Sequence, residues 1–154
     1  MNTRAEPVTL AALAAYAKRW NEHPSLRAFA VKVEFPDTTR LRLEVAQVPL
    51  HMRGGLGDDA VVNGGVLSAL CDLAIGCTAG LMDPGCQSAT VQLSIRFEQP
   101  LRGERVLAEA RVDRATRRLI FSSAEISDAA GRVSVRCQGI VTLLSKGAGA
   151  APAT

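Results

Sequence analysis

Hydrophobic and polar positions along the chain fall into two periods, one helical and one of strand type. From Pro7 to Trp20, Leu10, Leu13, Ala14 and Tyr16 or Ala17 recur at helical spacing and Lys18 and Arg19 close the run, which predicts an amphipathic helix on the outside of the domain. His23-Pro24 ends it, because proline biases the residue before it away from helical angles; His23 reads as a solvated loop residue. The period then drops to two. Val31, Val33 and Phe35 alternate with Lys32 and Glu34, and Leu41, Leu43 and Val45 repeat the pattern after a turn at Pro36 to Arg40, so a β-hairpin is expected. A glycine-rich loop from Gln47 to Asp59 follows, in a position to border a substrate mouth.

The stretch Asn63 to Gly80 is apolar on almost every side at helical length and predicts a buried central helix. Asn63 is a good N-cap, and Gly64 and Gly65 leave room for another group to approach the unpaired first-turn N–H donors. Asp72 is the one carboxylate in the run, about two turns in, where a charge loses its hydration unless something pairs with it or uses it. Beyond it, Thr90 to Phe97 sets Val91, Leu93, Ile95 and Phe97 against Thr90, Gln92, Ser94 and Arg96, and further alternating runs cover Glu104 to Val112, Arg118 to Ser127 and Val133 to Leu143. A surface helix, two strands, a buried helix and four antiparallel strands make an α+β fold, with a curved antiparallel sheet wrapped around the central helix. The expected division is residues 1–27 as an N-terminal helix and loop, 28–145 as the domain, and a fraying Ala/Gly/Pro-rich tail at 146–154.

Composition narrows the possible functions. The 154 residues suit one domain with a real core, and 47% hydrophobic against 21% charged residues argues against disorder. Asp72 and the glycines interrupt the longest apolar stretch, so no membrane partner is expected, and no basic segment leads into an apolar run at the start, so a cytoplasmic location is expected. Net charge +3 and a pI near 8.9 suit an anionic ligand, while 4% aromatic residues and no run of like charges argue against nucleic acid. Cys71, Cys77, Cys86 and Cys137 lack C-x-x-C spacing and read as small core residues, with neither metal nor disulfide. The glycine spacing fits neither a P-loop nor a dinucleotide-binding turn, and there is no G-x-S-x-G nucleophile elbow.

Asn63-Gly64-Gly65-Val66-Leu67-Ser68-Ala69-Leu70-Cys71-Asp72, followed by the strand Thr90 to Phe97, resembles the hotdog-fold acyl-CoA thioesterases of the phenylacetic-acid-degradation type over roughly residues 28 to 144. The resemblance implies that the Gly64 N–H polarises the thioester carbonyl, that Asp72 acts as general base or nucleophile, and that Thr90 of a neighbouring protomer helps place the water or the carboxylate. Asn63 and Gly65 would border the substrate. Asn63 stands where many members carry His, and Gly57 stands where many carry Asn, with Asp58 or Asp59 as possible substitutes. Arg114, Arg117 and Arg118 cluster near a strand connection and suit CoA phosphates, or form a solvated basic turn.

The expected protein is therefore a homodimer or dimer of dimers that hydrolyses an aryl- or medium-chain acyl-CoA with no cofactor beyond the CoA of its substrate. The long regular strand from Thr90 is a liability as an open edge and would pair with a second copy. A non-catalytic acyl-CoA binding module on the same fold is the alternative. A dehydratase needs a catalytic His near the helix, and neither His23 nor His51 is convincingly placed.

Overall fold

The computed structural model describes residues 7–55, 57 and 60–144. The tail at 146–154 and the two acids Asp58 and Asp59 lie outside the described residues. Helix α1 (Leu10–Glu22) is capped by the Thr9 hydroxyl and buries Leu13, Tyr16 and Ala17, while Leu10 and Ala14 face out. Helix α2 (Pro24–Ala28) follows at once, where the sequence read only a loop. His23 takes extended angles, as Pro24 requires, but its Nδ1 accepts the Ser25 N–H, so it caps α2 instead of lying free.

Strands β1 (Lys32–Glu34) and β2 (Arg40–Val45) form the expected hairpin. Then come the central helix α3 (Gly64–Cys77), which tightens into a 3-10 turn at Thr78–Leu81, and strands β3 (Gln87–Phe97), β4 (Val106–Ala115), β5 (Leu119–Asp128) and β6 (Val133–Leu144). The six strands form one antiparallel sheet in the order β1-β2-β4-β5-β6-β3, and α3 touches every strand from β2 to β6. This is the hotdog arrangement the sequence led us to expect.

Leu67, Leu70, Cys71, Ala74 and Ile75 of α3 pack on Val106, Ala108 and Ala110 of β4, Ile120, Ala124 and Ile126 of β5, and Val135, Cys137 and Val141 of β6. Helix and sheet are closest at Gly139, where an added Cβ would lie 2.6 Å from Ile75 Cγ2 and 2.8 Å from the Gln92 carbonyl oxygen. One polar link crosses this core: the Thr78 and Ser122 hydroxyls meet at 2.7 Å, and Thr78 also donates to the Ile75 carbonyl. The face of the sheet away from α3 is charged, with Arg42 bridging Glu109 and Arg136 bridging Glu125 and Glu98.

The clean alternation expected of β3 is broken. Thr90 pairs with Val141 and Gln92 with the adjacent Ile140, so Val91 is an unpaired bulge residue. Ser88, Thr90, Leu93 and Ile95 thereby share the half-buried side, and Val91 turns out to 57% exposure. Glycine at 139 is a packing requirement. Gly139→Ala should cost about 1–3 kcal/mol of stability by overpacking, read as a lower urea midpoint with an unchanged slope.

Candidate functional site

Helix α3 is not buried all round. Gly65 and Asp72 are exposed, Ser68, Ala69 and Gly76 are half-buried, and these residues form one open stripe along the helix. Their spacing explains it: seven residues carry Asp72 to within about 20° of Gly65 around the axis. The sequence reading of a helix apolar on nearly every side, with Asp72 desolvated, is corrected by this stripe. The Asp72 carboxylate stands in the open.

At the start of α3, the Asn63 side-chain oxygen accepts the Gly65 N–H at 2.8 Å, so Asn63 is the N-cap and the Gly65 donor is already committed. Gly65 therefore borders the site as bare backbone; a Cβ there would sit 3.1 Å from the capping oxygen. The Gly64 N–H has no acceptor among the described residues and points from the positive end of the helix dipole. The Val66 N–H likewise has no acceptor among the described residues, so two first-turn donors stay uncommitted beside the capped one. Beside Gly64 lies Phe97, whose ring is 3.8 Å from where a Gly64 Cβ would be.

Thr90 sits at the opposite end of the stripe. Its hydroxyl is 3.3 Å from where a Gly76 Cβ would be, one helical turn beyond Asp72, and it reaches this place against the helix of its own chain. The Val91 bulge holds the Thr90 side chain on the α3 side in phase with Leu93. The signal for Ser68 and Gly76, which the sequence reading did not single out, was their helical spacing with Gly65 and Asp72.

The structure brings Asp72, Gly76 and Thr90 together, but it separates Asp72 from the Gly64 N–H. Eight residues of helix put about 12 Å of axis between them, too far for both to serve one carbonyl. The expectation of an acid beside the positive tip of its own helix is thus corrected.

The two cysteines flanking this stretch are not nucleophiles. Cys77 is 1% exposed and its thiol is pushed up to about 12, first by burial and then by the Asp72 charge. Cys71 is raised too, first by a hydrogen bond with Cys137 and then by burial. Cys86 departs from the core role expected of it: it is half-exposed, with its sulfur 2.9 Å from the Leu144 carbonyl oxygen.

Arg114, Arg117 and Arg118 are exposed in and beside the β4–β5 turn. A second bulge at Asp113 precedes Arg114, whose guanidinium lies 5.7 Å from the Phe121 ring centre. Across the sheet, Leu119 pairs with Thr142 and Thr142 with Ala89, so the basic turn shares an end of the sheet with Thr90. No group of three His, Cys, Asp or Glu side chains is placed to hold a metal ion among the described residues.

Comparison with known proteins agrees with this architecture. A family model described as the thioesterase superfamily matches residues 59–135, half of the chain. No curated protein matches. Among solved structures, a conserved protein from Pseudomonas aeruginosa is 21% identical, with a TM-score of 0.71, over 83% of this chain and 99% of its own. A thioesterase family protein from Silicibacter pomeroyi is 20% identical (TM-score 0.74; 86% and 98% covered). The E. coli PaaI protein, from the phenylacetic acid degradation operon, is 18% identical (TM-score 0.73; 89% and 97% covered).

The cap at Asn63 is separable from the chemistry around it. Asn63→Ala should lower stability by about 1 kcal/mol in urea unfolding, and Asn63→Asp, which keeps the accepting oxygen, should restore most of it.

Proposed function

The chain belongs to the thioesterase superfamily, and on that premise we propose that it hydrolyses an acyl-CoA thioester, of aryl or medium-chain type, to the free acid and CoA. The observation that carries this reading is the open stripe of α3, with an uncommitted N–H at one end and a carboxylate two turns along.

The 12 Å of helix between these groups is bridged by a second copy. An isologous pair exchanges residue i of one chain with residue j of the other, so Gly64 set against the second copy's Asp72 places the two-fold axis beside Ser68, midway between them. Gly65, Ser68 and Ala69 present only hydrogen, hydroxymethyl and methyl groups there, which lets two helices approach closely. The free edge of β3 favours the same pairing, since it is 11 residues long and carries Val91 and Phe97 at 57% and 52% exposure. A homodimer, or two such dimers together, then holds two equivalent sites, each dry once its stripe is covered.

In each site the Gly64 N–H of one copy takes up the negative charge that develops on the carbonyl oxygen, helped by the helix dipole. Asp72 of the other copy accepts a proton from water as that water adds to the carbonyl carbon. It returns the proton to the departing CoA sulfur when the C–S bond breaks. Thr90, one turn beyond Asp72, positions the water, and Arg114, Arg117 and Arg118 meet the CoA phosphates at the same end of the sheet. Residues of the chain carry each of these steps without a metal or redox group.

Asp72→Asn should lower free-thiol release from aryl and medium-chain acyl-CoAs by at least about a hundredfold. Full activity in that variant overturns the assignment, and calorimetric binding by an inactive parent would favour the non-catalytic module. A shared site has its own signature. Gly64→Pro removes the N–H at a first-turn position where proline is tolerated, and a Cβ there meets only the Phe97 ring, at ordinary contact distance. When Asp72→Asn and Gly64→Pro chains are refolded together, half of the dimers are hybrids with one intact site each. About a quarter of the parent activity should then return. No return would mean that each chain works alone.

A further inference from the structure

Between α1 and the start of β3 lies a groove of about 540 Å³ that the chemistry above does not use. Its walls are Tyr16, Arg19, Trp20 and His23 on one side and Cys86 and Ser88 on the other. The helix that builds the first wall lies outside the 59–135 segment common to the superfamily. Arg19 ties the walls together, donating to the Pro84 carbonyl at 2.6 Å with its guanidinium 5.5 Å from the Tyr16 ring centre. Trp20 is half-buried, and its ring lies 5.9 Å from that of His23, so the groove offers a large aromatic surface beside a cation.

The position of the groove gives that surface a ligand. Its floor residue Leu144 pairs with Gln87, and the neighbouring Leu143 N–H donates to the Arg118 carbonyl at 2.8 Å, so the Arg117–Arg118 turn is next to it. Three residues beyond Gln87 along β3 is Thr90, then Gly76 beside it, then Asp72 one turn back on α3. From groove to acid the order is aromatic wall, arginines, hydroxyl, carboxylate. CoA carries its parts in the same order: purine, phosphates, pantetheine arm, thioester. Among the described carboxylates nearby, Asp83 is occupied, accepting the Gly85 N–H at 2.9 Å.

We propose that this groove receives the adenine ring of CoA against Trp20, with Arg19, Arg117 and Arg118 on its phosphates. A purine stacks on an aromatic face whatever its hydrogen-bonding edges do, and arginine forks match phosphate oxygens. The proposal rests on the acyl-CoA reading for its ligand but not on turnover.

Trp20 is the one tryptophan of the chain, so its emission reports the groove directly. Adenosine 3′,5′-bisphosphate and CoA titrated into the full-length protein should quench Trp20 saturably, and pantetheine should not. Arg117→Gln and Arg118→Gln, both at exposed positions, should each weaken the nucleotide by several-fold. Trp20→Leu should raise the KM for an acyl-CoA about tenfold relative to that for the matching pantetheine thioester, the scale of one base–aromatic stack. Absence of saturable quenching, equal quenching by pantetheine, or unchanged nucleotide affinity in both arginine variants overturns the proposal. Quenching without hydrolysis of any thioester would uphold the groove and sink the hydrolase. Hydrolysis without quenching would do the reverse.

Discussion

The rigid rise of α3 governs how the rest of the molecule is used. A helix cannot fold its own first turn back over its third, so the donor at Gly64 and the acid at Asp72, about 12 Å apart along one axis, never meet the same atom within one chain. Everything that surrounds the open stripe is consistent with that separation. The sheet covers the other sides of α3 with aliphatic side chains and leaves one side thinly clothed. The residues left there are small or polar, which does not close a core.

The edge of the sheet beside that stripe is open as well. Among the described strands, β1 ends the sheet with three residues, whereas β3 ends the other side with 11 and carries no blunting proline. An edge so long and so apolar is normally covered. The Asn63 cap takes one first-turn donor out of play and leaves the Gly64 and Val66 donors uncommitted at the positive end of the helix.

Much of this could be read before any coordinates, wherever a period was long enough to repeat. The hairpin, α3 and the last three strands announced themselves through alternation or helical spacing. Helix α2 did not, because five residues are too few to show a period and Pro24 signals an end as readily as a beginning. The bulge at Val91 was invisible for the opposite reason: Thr90 to Phe97 alternates without fault, and only pairing with β6 inserts the extra residue. The stripe at Gly65, Ser68, Asp72 and Gly76 was spelled out in the spacing. Glycine and alanine do not say whether they face a neighbour or a void, so the stripe passed for core. Gly64 and Asp72 were singled out by helix-end chemistry and by an isolated charge in an apolar run, while the roughly 12 Å between them needed only the helix rise to be seen.

The bulge has a consequence for how this protein can change over generations. Residues before and after Val91 obey opposite parities, and one unpaired position reconciles them so that Thr90 and Leu93 look the same way. Point changes on either half are absorbed where they occur. Gain or loss of a single codon between residues 88 and 95 would exchange the wet and dry sides of half the strand. Length along this stretch should be among the slowest characters of the lineage to drift, slower than the identity of any side chain on it.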